Sequence, residues 1–413
     1  MATQRQHVLI FEPEHLGHQP SYVSALASWL ERYPPATDVS FVVSQRLLDR
    51  LWVEDGVDLR RNRVAKVRVL TEDEIVRCTV GGTVRKAMAR WRILCSQLEA
   101  TGANHAHILF LDPFQLPLAL GLKPGLGKTL SGILFRPSVH ELGGYGGRAP
   151  VAERMCDGLK ATLYGRMLRN PSLSRVLTLD PFFPAHARRA FRLGEKVDAL
   201  PDPIIENAGE GGSIGADVRA APGAGRVVFL MFGALAARKG VLEILHALQS
   251  LPADVRARVR IVLAGRIDAD CATEVAGLRR GLGELDPGSE SLCVVDRFLS
   301  TAELNWLIVQ SDVVLATYRR HVGSSGALVW AAQHRKPLLA QDYGLVGALV
   351  REYRLGEVVD ATRPNAIAAA VRDLVGDEKR KALAEGADWQ RFLAGRTADN
   401  FAAQVMGAVR EAA

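Results

Sequence analysis

The chain has 413 residues, which favours two domains over one, and its 48% hydrophobic and 23% charged residues are typical of a soluble globular protein. No apolar run approaches the roughly 20 residues of a membrane-spanning helix, and the first residues lack the apolar core of a signal peptide, so we expect a cytoplasmic protein. The net charge of +7 favours an anionic partner: a phosphate group, a nucleic acid or an acidic membrane face.

Cysteine content argues against cross-linking. The chain has five cysteines, an odd number, and none forms a CxxC pair: Cys78, Cys95, Cys156, Cys271 and Cys293. This pattern is not that of a disulfide framework or a thiolate zinc site. We expect these residues to be small buried hydrophobes.

Six apolar, β-branched runs predict the strands of the first half, at residues 7–13, 38–44, 65–70, 107–112, 131–137 and 175–180. Because a helical pattern follows each apolar run, the strands are expected to form a parallel sheet covered on both faces.

A basic amphipathic pattern at residues 84–98 predicts a helix in this half. Arg85, Lys86, Arg90 and Arg92 surround its apolar face. We interpret it as a core helix with a solvated basic face. The alternative is a helix lying on an anionic membrane, which would make the protein peripheral at the cytoplasmic face.

Two loops of the first half hold candidate site residues. Gly17 and His18 lie between the first strand and the first helix, where the backbone can approach a ligand, although an ordinary turn explains them equally well. Arg136 and His140 flank the end of the strand at residues 131–137. Histidine is the commonest general acid–base residue, so both are candidate catalytic residues, with a structural histidine as the alternative.

Residues 200–225 are rich in Gly, Ala and Pro and predict a linker between two halves. The second half has six further predicted strands, at residues 227–233, 259–265, 292–298, 312–318, 337–341 and 357–360.

The predicted fold class is therefore α/β, with two doubly wound, Rossmann-like parallel-sheet domains. The expected divisions are a first domain at 1–200, a linker at 201–225, a second domain at 226–387 and a final helical stretch at 388–413 that returns to the first domain.

The segment FGALAARKG at residues 232–240 carries the strongest functional signal. Gly233 ends a predicted strand, and Arg238 and Lys239 directly precede a helix whose apolar residues recur at helical spacing. Cations are disfavoured at a helix N-terminus, but a bound phosphate would reverse that balance. We interpret the segment as a diphosphate site; an exposed basic turn is the alternative.

A second signal follows the strand at residues 312–318. Gly323, Ser324, Ser325 and Gly326 precede a helical pattern, and small residues let a ligand reach outward-facing backbone amides. A capped helix entry without a ligand is the alternative. In the same half, Asp270 of an Asp-Ala-Asp run is better explained as an N-cap than as a metal ligand.

Several segments of the second half, in their order along the chain, resemble the GT-B glycosyltransferases of the large family 4. FGALAARKG is similar to the family's G-x-L-x-x-x-K-G, and VLAGR resembles its next strand, which ends at Gly265. Residues 294–318, which include Phe298, are similar to the pattern f-x-G-x-v-s-x-e-e-L. GSSGALVWAAQHRKPLLA falls where the family has E-G-F-G-x-x-x-x-E-A-x-A-x-G-K-P. The first half resembles the family only through its Gly17 loop and its βα order.

This resemblance implies a GT-B fold with two domains facing across a cleft, and a glycosyltransferase of EC class 2.4 that uses no metal or other cofactor and retains anomeric configuration. A nucleotide-diphosphate sugar would bind the second domain, and the hydroxyl acceptor, a glycan, a lipid-linked glycan or a metabolite, would bind the first. Lys239 matches the family's phosphate lysine, and Arg238 stands beside it. The other donor-binding candidates are Gly17, His18, Gly233, Gly265, Phe298, Gly323, Ser324, Ser325 and Gly326.

The sequence also departs from the family. The family's common arginine falls on Ala234, and its two glutamates fall on Val322 and Trp330. The missing carboxylates motivate an alternative, a non-catalytic GT-B protein that binds or scaffolds another transferase. We expect no nucleic-acid partner, because only the net charge points to one and no recognition motif accompanies it.

Overall fold

The computed structural model describes residues 6–15, 17, 19–137, 151–204, 213–223, 225–285, 287–288 and 290–412. These residues divide into two compact units. The first comprises residues 6–137, 151–204 and 395–412, and the second comprises residues 213–394.

The first unit is built on a parallel sheet of seven described strands in the order β3-β2-β1-β4-β5-β6-β7. Their bounds are β1 His7–Glu12, β2 Asp38–Ser44, β3 Ala65–Leu70, β4 His105–Ile108, β5 Thr129–Leu134, β6 Leu173–Thr178 and β7 Val197–Ala199.

The helices of this unit cover both faces of the sheet. Successive residues of β1 enter different clusters, since Val8 and Ile10 pack in one and Leu9 and Phe11 in the other. The helices described here are α1 Gln19–Arg32, α2 Gln45–Asp55, α3 Glu72–Thr79, α4 Thr83–Thr101, α5 Gln115–Ala119, α6 Val151–Leu168 and α7 Phe183–His186.

The second unit contains a parallel sheet of six described strands in the order β10-β9-β8-β11-β12-β13. Their bounds are β8 Val227–Phe232, β9 Val259–Ala264, β10 Leu292–Val295, β11 Val313–Ala316, β12 Leu338–Gln341 and β13 Gly356–Val359.

Ten described helices accompany this second sheet. They are α8 Ala216–Ala220, α9 Val241–Ser250, α10 Ala253–Arg256, α11 Ala272–Leu285, α12 Thr301–Gln310, α13 Gly326–Gln333, α14 Gly344–Tyr353, α15 Pro364–Leu374, α16 Asp377–Gly386 and α17 Trp389–Leu393. The predicted apolar stripe of α9 is confirmed, because Val241, Ile244, Leu245 and Leu248 are all buried in the core of the unit.

The last helix of the chain, α18 Ala398–Ala412, belongs to the first unit. Phe401 is fully buried there, and its ring centroid lies 4.5 Å from that of Tyr22 on α1. Asp399 of α18 forms an ion pair with Arg32, the last residue of α1. The end of the chain thus completes the core of the unit in which the chain begins.

The predicted doubly wound α/β architecture is confirmed, with two corrections. The strand β7 was not predicted, because its three residues form a short edge strand with little apolar character. Arg90, which we expected on the solvated face of α4, is buried: its Nε donates to the Cys78 carbonyl at 3.0 Å and its guanidinium forms an ion pair with Glu14.

No helix among the described residues is both long enough and apolar enough to cross a bilayer.

Candidate functional site

The second sheet reverses its strand order between β8 and β11, which are hydrogen-bonded neighbours. In open parallel sheets, ligands bind outside the carboxyl ends of the strands at such a reversal. The residues that follow β8 and β11 therefore form the candidate site.

The loop after β8 depends on two glycines. Gly233 has φ +86°, and Gly265, which follows β9, has φ +141°. A Cβ atom at residue 265 would lie 2.0 Å from the Gly233 carbonyl oxygen, so the two backbones touch. Gly233 is exposed at the end of β8 and, as a glycine, has no side chain of its own to cover the backbone there.

Lys239 folds back under this glycine. Its Nζ donates to the Phe232 carbonyl at 2.9 Å and lies 3.0 Å from where a Cβ of residue 233 would stand. No carboxylate pairs with this ammonium among the described residues. Burial, together with the charge of Arg238, lowers the pKa of Lys239 to about 8. The protein thus holds a half-buried cation next to an open backbone position.

Arg238 is exposed beside Lys239, and its guanidinium has no acidic partner in the part of the chain that the structure describes. Both residues lie in a 3-10 turn, Ala237–Lys239. The turn is fixed at its start by Asp270, whose carboxylate accepts the Ala237 amide at 3.2 Å. The expectation that Asp270 caps a helix is therefore corrected: α11 begins at Ala272, and the carboxylate orders the basic turn.

The loop after β11 packs directly on this turn. Gly240 has φ +80°, and a Cβ there would lie 2.0 Å from the Thr317 carbonyl oxygen. The Arg319 amide donates to the Arg238 carbonyl at 2.8 Å. The two loops that flank the strand reversal are therefore joined backbone to backbone.

Tyr318 connects Lys239 to the serines. The Lys239 Nζ lies 5.8 Å from the centroid of the buried Tyr318 ring, a cation–π contact. The Tyr318 hydroxyl lies 2.6 Å from Ser325 Oγ, which also accepts the Ala327 amide and so caps α13. The basic turn and the serine loop are in this way one connected structure.

His321 and Gln341 fix the rest of the serine loop. The His321 ring packs edge-on against Tyr318, with centroids 5.5 Å apart, and its Nε2 lies 3.1 Å from the Ser324 carbonyl oxygen. Gln341 at the end of β12 accepts the His321 amide at 3.0 Å and donates back to the His321 carbonyl. Gly323 is buried, whereas Ser324, Ser325 and Gly326 are half-buried.

The amides of Gly323, Ser324 and Gly326 have no hydrogen-bond partner among the described residues. A cluster of free amides next to a helix start accepts an anion. Together with Arg238 and Lys239, they make a site suited to a phosphate group.

An ion pair joins α9 to the loop after β11. Glu243, in the first turn of α9, is 8% exposed, and its Oε1 lies 3.0 Å from Arg319 Nε. The sequence did not reveal this pair, because Glu243 falls among the apolar residues of α9. The only sequence feature that indicated such a pair was the presence of Arg319 and Arg320 shortly after β11. Tyr318, His321 and Gln341 were missed for the same reason, since each belongs to an ordinary strand end or loop in the sequence.

The structure does not bring every candidate to this site. Phe298 is 79% exposed after the edge strand β10, and no contact joins it to Lys239 or the serines among the described residues. Arg136 lies in the first unit with an exposed side chain; its amide donates to Asp112 at 3.0 Å and its carbonyl accepts the Tyr164 hydroxyl at 2.9 Å. His18 and His140 lie outside the described residues.

The loop after β1 in the first unit has its own buried carboxyl. Gly17 has φ +79°, and a Cβ there would stand 3.0 Å from Gln19 Oε1. Glu12 is fully buried, with Oε1 accepting the Glu14 amide at 2.8 Å, while its Oε2 has no hydrogen-bond partner among the described residues. Burial raises the pKa of Glu12 well above its usual range. Sequence reasoning missed Glu12 because it ends an otherwise apolar strand.

Among the described residues, no group of three histidine, cysteine, aspartate or glutamate side chains could hold a metal ion.

Residues 226–377 match the family model described as "Glycosyl transferases group 1". The match covers nearly all of the second unit, including both loops of the candidate site. It confirms the predicted family resemblance and, with it, the predicted enzyme class, a glycosyltransferase. No curated protein sequence matches the chain significantly.

Solved structures with the same architecture include known GT-B proteins. HepE of Anabaena, in complex with UDP and glucose, superposes with a TM-score of 0.63 at 13% identity over 98% of this chain and 100% of that one. Sucrose-phosphate synthase from Thermosynechococcus elongatus gives a TM-score of 0.67 at 16% identity over 98% and 99%. OtsA in its apo form gives 0.66 at 12% identity over 98% and 99%. At these identities the likeness confirms the predicted fold, GT-B.

Proposed function

Since residues 226–377 form a glycosyl transferases group 1 domain, we propose that the chain transfers a sugar from a nucleoside-diphosphate donor to a hydroxyl acceptor. The observation that carries this proposal is the Lys239 ammonium, which is half-buried, has no carboxylate partner among the described residues, and lies beside the open backbone of Gly233. Such a cation is held at a cost in solvation that an anionic ligand would offset.

The geometry suggests how the donor is activated. When the bond between the anomeric carbon and the phosphate oxygen breaks, negative charge develops on the leaving diphosphate. Lys239 as a point charge and Arg238 as a bidentate donor would stabilise that charge. The free amides of Gly323, Ser324 and Gly326 would add fixed dipoles. In this proposal the cations and amides replace a metal ion.

We propose the first unit as the acceptor site and retention as the stereochemical course. The acceptor hydroxyl would attack the anomeric carbon on the face from which the diphosphate leaves, and its proton would pass to the leaving phosphate oxygen. The loop after β1, with Gly17 and Glu12, lies at the carboxyl edge of the first sheet, where ligands bind in such folds. The proposed acceptor is a glycan, a lipid-linked glycan or a metabolite. The proposed location is cytoplasmic, with basic residues in contact with an anionic membrane.

UDP is the first nucleotide to test, because the Anabaena HepE structure contains UDP and glucose. The assay is release of nucleoside diphosphate from UDP-, GDP- and ADP-sugars in the presence of EDTA, with the anomer of any transfer product determined by NMR. Release from at least one donor without metal, and retained configuration, would support the proposal. A strict need for divalent metal or an inverted product would overturn those two features.

One observation favours a second candidate, a non-catalytic partner of another transferase. The positions of the family's paired glutamates carry Val322 and Trp330, which have no carboxylate. This candidate predicts binding of a nucleoside diphosphate without release from any sugar donor, so the same assay distinguishes it.

A further inference from the structure

An open pocket of about 800 Å³ lies in the first unit, beside the edge strand β7. It is lined by Arg175, Arg188, Arg192 and Lys196, with Glu195 and Asp198. Most of these residues precede β7, so the pocket lies towards the amino-terminal ends of β6 and β7. The loop after β1 is at the opposite, carboxyl edge of the same sheet, and the pocket is therefore separate from the proposed acceptor site.

The charges of the pocket wall do not balance. Arg175 is matched, because its Nε lies 2.6 Å from Asp198 and its Nη2 lies 3.3 Å from Glu411 on α18. Arg188 and Arg192 are exposed, and neither has an acidic partner among the described residues. Four cations and two carboxylates line the pocket, which gives its wall a charge of +2.

The backbone also presents these cations to the pocket. Arg188 lies in the π-helical turn Ala187–Phe191, and Arg192 follows that turn with φ +57°. This left-handed conformation is one that glycine adopts without strain and arginine does not. The backbone conformation at residue 192 therefore favours glycine. The presence of arginine there indicates that its side chain has a role.

Lys196, which also lines the pocket, is held by a backbone carbonyl. Its Nζ donates to the Asn170 carbonyl at 2.8 Å, which leaves the ammonium half-buried and still able to donate two more hydrogen bonds. Burial lowers the pKa of Lys196 to about 8. A dianion in the pocket would keep this group protonated.

We propose that this pocket binds a phosphate monoester, held by Arg188, Arg192 and Lys196. A phosphate monoester carries about −1.5 to −2 charges at neutral pH, which matches the excess charge of the wall. Guanidinium groups bind such phosphates through paired, charge-assisted hydrogen bonds. The monoester is either a small phosphorylated metabolite or the headgroup of a lipid, and both present the same chemistry.

The test uses glycerol 3-phosphate for the soluble source and phosphatidylcholine vesicles containing phosphatidic acid for the lipid source. Binding of glycerol 3-phosphate is measured by calorimetry in a chloride buffer, and binding to vesicles by co-sedimentation. The variants are Arg188→Gln and Arg192→Gln. The control is Arg68→Gln on β3, which removes one exposed positive charge from the same unit at the opposite edge of the sheet from β7 and outside the pocket lining.

We expect saturable binding of one of the two probes, weakened at least about fivefold by each pocket variant and by less than about twofold in the control, in line with the loss of charge-assisted hydrogen bonds. The probe that binds identifies the source. Failure of both probes to bind would overturn the proposal. An equal weakening in Arg68→Gln would also overturn it, because binding would then follow net charge and not the pocket.

Discussion

Lys239, the central residue of the proposed donor site, is held in the folded protein at a cost in stability. Its ammonium is half-buried, and its described contacts are a backbone carbonyl at 2.9 Å and the face of Tyr318. Burial lowers its pKa from 10.5 to about 8, which means that the folded state disfavours the charge that it carries at neutral pH. A residue with this cost is best explained by a ligand that compensates it.

We predict that Lys239→Met lowers turnover by about 100-fold or more, as for removal of other groups that stabilise developing negative charge. The free energy of unfolding at neutral pH should stay the same or rise, because Met keeps the apolar stem and removes a poorly solvated charge. Lys336→Met is the matched control: that lysine also donates to a backbone carbonyl, of Val309, and its pKa is also lowered by burial. Unchanged turnover in a folded Lys239→Met protein would remove Lys239 from the site.

The pH dependence of the reaction should report the same group. We predict that kcat/KM for the donor falls as pH rises through about 8, since Lys239 then loses its proton. Lys239→Arg should move this decline to higher pH, because a guanidinium stays protonated. The sign is opposite for stability: between pH 8 and 10.5 the unfolded chain holds a proton on this lysine that the folded chain lacks, so this group's contribution to stability rises with pH. If kcat/KM of Lys239→Arg declines over the same alkaline pH range as that of the wild-type protein, the decline does not report the titration of Lys239.

At the scale of secondary-structure elements, glycines at strand ends and in the following loops let the backbones around the candidate site pack closely. Gly233 and Gly265 close the carboxyl ends of β8 and β9, and their backbones are in contact. Gly240 performs the same role between the basic turn and the loop after β11. The loops after β8, β9 and β11 can approach each other because none of these positions carries a side chain.

We predict that Gly265→Ala destabilises the protein by about 1–3 kcal/mol, because its Cβ would overlap the Gly233 carbonyl oxygen and the backbone would have to shift. Gly277→Ala is the control. It lies in α11 with open space around its Cβ position, so the substitution should stabilise by about 0.5–1 kcal/mol. Chemical denaturation of both variants provides the measurement. Equal stability of the two variants would show that the glycine contact is not tight.

The elements were largely predictable because apolar runs and helical spacing encode them directly. The runs at residues 227–233 and 259–265 became β8 and β9, and the stripe of α9 is buried as predicted. β7 was not predictable, since its three residues owe their strand pairing to β6 and not to their own pattern. Within the site, Arg238, Lys239 and Ser325 could be found from their places after strands. Glu243 and Tyr318 could not, because their roles depend on which loop packs against which.

Stability of the whole chain should depend on two buried histidines in the first sheet. His105 and His107 on β4 are fully buried and share the Ser131 hydroxyl, each with a ring nitrogen 2.8 Å from its Oγ. Burial lowers the pKa of His105 to about 4 and that of His107 to about 3. Both are therefore neutral in the folded state at pH values where they would be charged in the unfolded chain.

We predict that the free energy of unfolding falls as pH decreases from 6.5 towards 4, by about 1.4 kcal/mol per pH unit for each histidine, because the unfolded state binds the additional protons. His107→Gln should make this decline shallower, whereas the control His246→Gln, at an exposed position on α9, should leave it unchanged. Urea denaturation across this pH range, with hydrogen exchange in β4 and β5, gives the measurement. A decline that is unaffected by His107→Gln would refute this explanation.

The proposed function requires a nucleoside-diphosphate site in the second unit, and a thermal-shift series tests for this site most directly. UDP, GDP, ADP, CMP and dTDP would each be added, with and without magnesium, to the wild-type protein and to Lys239→Met. A ligand at about 100 times its dissociation constant stabilises by about 2.7 kcal/mol. We predict that one diphosphate raises the melting temperature without magnesium and that Lys239→Met abolishes most of the shift. No shift with any nucleotide, or the same shift in Lys239→Met, would contradict the central claim.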